Sequence, residues 1–289
     1  MKVNLQNSSF SYSLILLIIF FCIPVELSSQ NKWYKGNLHC HTRESDGLLL
    51  PDTLLKRYKS KGYDFVSITD HYSMTDKKKN STSDFIILNG QEVTFQNHLS
   101  AIGINHTIVP PQLNNTSVQS MLDSINAQNS LPIINHPLYF DSVNARGSRK
   151  FTLKRIFNLK NINHMEIFNG TGRGNRQDET FQLWDEVLTA GIKLFGTASD
   201  DAHHSDEIGT AWIMISAPTL SESNIITALR KGEFYSSTGI YIKEINISNN
   251  NIFISSSNGT TIKFISKHGK VLKIVENSEA EYTLQWFAG

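Results

Sequence analysis

Apolar positions along the chain fall into two textures. Between residues 31 and 239, short apolar runs alternate with stretches in which apolar residues recur every three or four positions, which predicts strands interleaved with amphipathic helices. FVSIT at Phe65 to Thr69 reads as a strand, preceded by a helix from Pro51 to Lys61 that closes at Gly62. Phe85 to Leu88 and His98 to Ile104 read as further strands, and a helix over Ser117 to Asn129 runs into the strand LPIIN at Leu131 to Asn135. Met165 to Phe168, Ile192 to Ala198 and Trp212 to Ile215 continue the strands, with helices over Asp178 to Ala190 and Ser221 to Lys231. This order is that of an α/β fold with short buried strands. From Ile240 the texture changes: YIKEINI, NIFIS, TIKFIS, KVLKIV and YTLQWF alternate apolar and polar positions, with turns at Ser248 to Asn251 and at His268 to Gly269. Residues 240–289 are expected to form a small antiparallel β appendage with a structural or docking role.

One apolar run stands outside this pattern. Leu14 to Val25 (LILLIIFFCIPV) follows the lone cation Lys2 and precedes the small residues Ser28 and Ser29. It is short for a membrane span and suits the apolar region of a signal peptide over residues 1–30, with cleavage near Gln30 and a mature chain from Asn31. The expectation is an exported protein, periplasmic or secreted, that keeps no membrane span after cleavage. Phe20 and Phe21 make Cys22 a poor lipid acceptor, and Cys40 would then be the only cysteine of the mature chain, so no internal disulfide can form. Lys and Arg number 27 against 26 Asp and Glu, which offers no broad field for nucleic acid or anionic membrane. An anionic substrate has to be held locally.

The chemistry-bearing residues gather where strands end. LHCHTRESDG at Leu38 to Gly47 places His39 and His41 on one face of an extended segment, with Cys40 facing the other way as a small buried hydrophobe. Thr69-Asp70-His71 closes the FVSIT strand, Glu92 follows an expected Asn89-Gly90 turn, His98 opens the next strand, and His136 ends LPIIN. Asp201-Ala202-His203 follows a later strand. Taken singly, Glu92 reads as a surface carboxylate, His98 as a strand-edge residue and Asp201 as a helix cap. Their recurrence at strand ends, where an α/β barrel gathers its active site, points instead to one shared centre. A set rich in His and carboxylate with no inward thiolate suits Zn, Mn or Fe.

The ordered series HxHTxxSDG, TDH, GxE, HLxxIG, NHP and SDDAH, from about Lys35 to Gly239, resembles the motif set of the PHP (polymerase and histidinol phosphatase) family of metallohydrolases. GQEVTFQNHLSAIG, EIFNG at Glu166 to Gly170, the helix from Trp184 to Gly191, and KGEFYSSTG at Lys231 to Gly239 resemble most closely its exported, carbaryl-hydrolase-like branch. The resemblance implies a distorted seven-stranded β/α barrel over residues 31–239 holding two or three divalent ions. His39, His41, Glu92 and Asp201 would take one ion. Glu92, His98 and His136 would take a second, and Asp46, His71 and His203 a third. His106 is a rival to His98, which keeps the motif position, and His204 is expected to face solvent or a ligand's outer side. Asp70 and Asp200 are expected to orient metal-bound imidazoles from behind.

Such a centre activates a bridging water as nucleophile and needs no Ser or Cys. His71, His203 and Asp201 are the candidates for proton transfer and catalysis. Arg173 and Arg176 in TGRGNRQDE, together with Asn169, are candidates for gripping an anionic small-molecule ester, whereas Lys77 to Lys79 read as a solvated loop. Phosphoester hydrolysis is the leading expectation. The alternatives are hydrolysis of a carbamate or carboxylic ester at the same ions, and a non-catalytic, metal-stabilised binding module.

Overall fold

A computed structural model of the chain describes residues 31–111, 116–139, 150–171 and 177–284. The expected signal segment and the candidates Arg173 and Arg176 lie outside the described residues. Within that set, no helix is long and apolar enough to cross a membrane.

Nine strands make one mixed sheet: β1 (Lys32–Asn37), β2 (Phe65–Ile68), β3 (Ile86–Thr94), β4 (His98–Ile102), β5 (Leu131–Ile134), β6 (His164–Asn169), β7 (Phe195–Ser199), β8 (Trp212–Ala217) and β9 (Phe234–Ser237). Their spatial order is β7-β6-β5-β4-β3-β2-β1-β8-β9, so the first seven lie in chain order. These seven are the barrel that the resemblance implies, and β8 and β9 form an antiparallel ribbon inserted between β1 and β7. The sheet nearly closes on itself: Ser236 Oγ on β9 donates to the Gly196 carbonyl on β7 at 2.8 Å. At the opposite end the segments following β1 and β7 pair directly. Asp201 N donates to His39 O and His41 N to Ala202 O, both at 2.9 Å.

The helices follow from local chemistry. In α1 (Pro51–Ser60), Pro51 occupies the first turn, where a missing N–H costs nothing, and Leu54, Leu55 and Tyr58 supply the buried stripe. In α2 (Val118–Ala127), the Ser117 hydroxyl caps Ser120 N at 3.0 Å, and Val118, Met121, Leu122 and Ile125 face inward. A one-and-a-half-turn α3 (Leu153–Phe157) and the longer α4 (Gln177–Thr189) follow. In α5 (Glu222–Lys231), Ser221 caps the start and Gly232, at φ +75°, ends the helix. Strand β2 is buried on both faces, with Val66 and Ile68 packed in the cluster of α1 and Phe65 in that of α5.

Two features depart from the sequence pattern. Asn89-Gly90 is not a turn; β3 runs straight through it from Ile86 to Thr94. Gly90 serves close approach, because a Cβ there would lie 2.2 Å from Ser67 Oγ and 2.8 Å from Ile68 O. In addition, β3 pairs antiparallel with β4, and β4 with β5, which breaks the parallel order expected of a β/α barrel.

The C-terminal segment is β-rich and antiparallel, as expected. Strands β10 (Ile242–Ser248), β11 (Asn251–Ser256) and β14 (Glu279–Thr283) form one sheet, and β12 (Ile262–Ser266) with β13 (Lys270–Val275) forms a ribbon. Asn249 and Asn250, at φ +47° and +64°, make the two-residue turn between β10 and β11. The appendage joins the barrel through Ile242 N, which donates to Tyr235 Oη at 2.9 Å, and through a tilted ring contact of Tyr241 with Trp212 at 5.7 Å between centroids.

Candidate metal centre

Every expected ligand arrives at one rim. His39 and His41 follow β1, Asp46 sits in the loop beyond them, His71 follows β2, Glu92 lies in β3, His136 follows β5, and Asp201 and His203 follow β7. His98 is the first residue of β4, and because β4 runs antiparallel, its amino end meets the carboxyl ends of its neighbours. The extended segment after β1 turns both imidazoles inward, so that Nε2 of His39 and Nε2 of His41 stand 3.2 Å apart. Cys40 between them is fully buried on the other side and donates its thiol to Ser67 O at 3.3 Å.

Glu92 is the hub. Its Oε1 lies 3.0 Å from His98 Nδ1, 3.1 Å from His136 Nε2 and 3.4 Å from His39 Nε2. Its Oε2 lies 3.3 Å from His41 Nε2 and 3.2 Å from His71 Nδ1. Asp201 Oδ1 is 3.2 Å from both His39 Nε2 and His41 Nε2. Asp46, 47 % exposed, approaches His41 at 3.4 Å, His203 at 3.3 Å and His71 at 3.5 Å. Donor atoms of His41, Asp46, His71 and His203 all fall within 4.8 Å of one another, as do those of His39, His136 and Asp201, of His39, His41 and Glu92, and of His71, Glu92 and His98. These sets cut across the division implied by the resemblance: His41 also joins the Asp46 group, and His136 also joins His39 and Asp201.

The electrostatics of this donor set are compatible with a cation. His203 donates Nδ1–H to the Asp201 carbonyl at 2.7 Å, and its Nε2 faces Asp46. That nitrogen is buried and lacks a hydrogen bond of normal geometry, although Asp46 Oδ1 is 3.3 Å away. Burial opposes charging of His41, yet hydrogen bonds with Asp201 and Glu92 outweigh it and push its pKa up to about 9. Burial also opposes ionisation of Asp46, Glu92 and Asp201, but the surrounding imidazoles hold all three below the usual carboxylate range. His98 moves the other way, because desolvation dominates over its contact with Glu92. The protein thus retains carboxylates and recruits protons among crowded nitrogen lone pairs, and divalent ions fit the same positions.

Backbone strain accompanies this convergence. Asp201 sits at φ +51° and His136 at φ +20°, conformations that cost non-glycine residues on the order of 1–3 kcal/mol each and persist where the surroundings hold them.

The groups that hold the ligands from behind differ from those expected. Glu166, not among the expected site residues, is 2 % exposed and contacts His39 Nδ1 at 3.1 Å. The same carboxylate accepts from His136 N at 2.7 Å and from Ser199 Oγ. A carboxylate inside the apolar run MEIF was the signal in the sequence. His71 Nδ1 is 2.6 Å from Thr94 Oγ1.

Asp70 and Asp200, by contrast, organise backbone. Asp70 accepts from Thr42 N and Thr42 Oγ1 at 2.6 Å, Ser45 Oγ at 2.7 Å and Thr75 Oγ1 at 2.5 Å, which ties down the loop that carries Asp46. Asp200 accepts from the backbone of Gly209, Thr210 and Ala211 and from Tyr63 Oη. Asn169, expected as a substrate contact, lies beside the candidate ligands. Its amide donates to Asp201 Oδ2 at 2.9 Å and to Glu166 Oε2 at 3.0 Å, and its oxygen accepts from Thr171. His106 is exposed, with backbone hydrogen bonds to Gln128, and His204 is exposed with its N–H on Glu207. Lys77 and Lys78 pair with Asp52 and Glu222.

Comparison with known proteins agrees with this architecture. Residues 192–234, which span β7, β8 and α5 and include Asp201 and His203, match the PHP-associated family. A two-domain protein from Bacteroides vulgatus ATCC 8482, described as containing a predicted PHP-like metal-dependent phosphoesterase, is similar at a TM-score of 0.54 and 15 % identity, over 88 % of this chain and 85 % of that one. PsfC from Pseudomonas syringae PB-5123 is similar at a TM-score of 0.50 and 12 % identity, over 72 % of this chain and 92 % of that one. No curated protein matches the chain. The fold is thus similar to that of the Bacteroides protein, and residues 192–234 match the PHP-associated family.

Proposed function

We propose that this protein is an exported metal-dependent hydrolase that cleaves small, anionic phosphate esters. The observation that carries the reading is the convergence of six imidazoles and three carboxylates, with donor atoms within 4.8 Å of one another in four overlapping sets. The description of the Bacteroides protein as a PHP-like metal-dependent phosphoesterase supports it. Divalent ions bound there would supply hydroxide near neutral pH and positive charge for the oxygens of the ester.

The protein's own groups divide the remaining work. Glu92 and Asp201, ionised under crowded imidazoles, hold the inner ligands together, and Asn169 and Glu166 fix the orientation of Asp201 and His39. His71 and Asp46 stand nearer the solvent, at 13 % and 47 % exposure, where a leaving group departs. His71, whose ring orientation is set by Thr94, is the candidate for delivering a proton there in place of ligating an ion. His203 and Asp201, both 2 % exposed, act from below as ligands.

The test is turnover of an aryl phosphate, a phosphodiester and an aryl carbamate, with and without added Mn or Zn, together with metal analysis. Metal-dependent hydrolysis of a phosphate ester that disappears in His39→Ala is the expected result. Cleavage of the carbamate alone would move the assignment to carbonyl chemistry. Full metal content with no hydrolysis would favour the binding-module alternative.

A further inference from the structure

The near-neutral total charge hides a local surplus in the C-terminal appendage. From Ile245 to Val275 the chain holds four lysines and no Asp or Glu. Strand pairing sorts the appendage's side chains by face. Across β10, β11 and β14, Ile247, Ile252 and Tyr282 form one apolar row, and Ile245, Ile254 and Ala280 form the next. Glu244, Glu279 and Glu281 align with Ser255 and Phe253, so the alternation of side chains along a strand turns these acids to the opposite face.

The β12–β13 ribbon covers only one end of the apolar face. The Phe264 ring is buried and stacks on Tyr282 with centroids 5.3 Å apart, whereas Ile247 remains 69 % exposed. Phe264 faces inward, and its neighbours Lys263 and Ile265 face out, paired with Ile274 and Val271. Ile265 is 59 % exposed and Ile274 54 %, and Val271 is exposed as well. Lys267 and Lys270 flank Ile265 and Val271 in sequence, and both are exposed, as is Lys263. The tip of the ribbon is held to α4, where His268 N donates to Thr189 Oγ1 at 3.4 Å. An outward apolar face of this kind marks a contact surface. Lysine is depleted from protein–protein interfaces. Beside apolar side chains it suits a bilayer surface instead, where the apolar groups reach the acyl boundary and the ammonium groups stay with phosphate. A soluble polyanion would use the lysines and leave the isoleucines in water.

We propose that the outer face of the β12–β13 ribbon docks the protein on an anionic lipid bilayer. Ile265, Val271 and Ile274 enter the headgroup region, while Lys263, Lys267 and Lys270 bind lipid phosphates. Each lysine close to such a surface contributes a factor of about five in binding. The docking does not depend on the reaction proposed above.

The test is cosedimentation of the chain from Asn31, which forms a compact unit by itself, with vesicles of phosphatidylcholine alone or mixed with an equal amount of phosphatidylglycerol. Wild type is expected to bind the mixed vesicles about 100-fold more tightly, from three lysines together, and less tightly as salt is raised. Lys263→Gln combined with Lys270→Gln should weaken that binding about 25-fold. Ile265→Ser combined with Ile274→Ser should weaken it about 10-fold, with circular dichroism and thermal midpoint unchanged in both variants. No binding to the mixed vesicles, equal binding to the two vesicle types, or binding untouched in the isoleucine variant would overturn the proposal. So would equal affinity for soluble polyglutamate, because the face would then recognise charge alone. A dimer in light scattering that the isoleucine variant converts to monomer would also overturn it, because the face would belong to a second copy of the chain.

Discussion

Glu166 contacts His39 on the edge of the ring opposite the other candidate ligands. Its Oε1 lies 3.1 Å from His39 Nδ1, while His39 Nε2 faces Asp201 and Glu92. The contact spans 127 residues of sequence and sets which nitrogen of the ring is free to coordinate. Glu166→Gln keeps the volume and removes the charge. It is expected to weaken metal affinity by about 10- to 100-fold, read by metal titration, and to lower turnover at limiting metal with recovery at excess. Equal metal affinity in the variant would show that His39 is oriented without it.

Metal-free protein should show a characteristic pH dependence. The pKa of His41 rises from 6.5 to about 9 on folding, so its stabilising contribution is fully present below 6.5 and is lost as pH rises through 9. The thermal midpoint of chelator-treated protein is expected to fall across that window, by an amount corresponding to roughly 3 kcal/mol. In the metal-loaded protein an ion takes the place of the proton, so this loss should vanish and metal affinity should rise with pH. Parallel pH profiles for the two forms would contradict this picture.

Asp70 gathers four hydrogen bonds, three of them from the segment between His41 and Asp46. Asp70→Ala is expected to destabilise the fold by about 1–3 kcal/mol, because the buried donors of Thr42 lose their acceptor. Metal analysis should also show loss of the ion held near Asp46 before those near Glu92. Chemical denaturation and metal counting on the same preparation check both parts.

Gly90 offers a test of the barrel wall. A methyl group there meets Ser67 Oγ at 2.2 Å and Ile68 O at 2.8 Å, and neither strand can withdraw without moving Glu92 or His71. Gly90→Ala is expected to cost about 1–3 kcal/mol in urea denaturation. Combination with Ser67→Ala should recover part of that loss.

Much of this protein was legible in its sequence, for reasons of local chemistry. The apolar periodicity of Val118 to Ile125 and of Ile225 to Leu229 specifies helices whatever they pack against, and the alternation of His39, Cys40 and His41 specifies two faces of an extended segment. The nine ligand candidates were recognisable because their residue types recur at the ends of apolar runs. What tertiary structure alone decided is who meets whom. Residues 89–90 resemble a turn in isolation, but pairing with β2 on one side and β4 on the other keeps β3 extended through them. The reversal of β4 brings the start of a strand, His98, to a rim otherwise built from strand ends. Asp70 and Asp200 carry the same carboxylate acceptor as Glu166, and only strand register and loop path determine which of them reaches an imidazole. Periodicity encodes the face on which a side chain lies, whereas its partner depends on contacts between strands far apart in the chain.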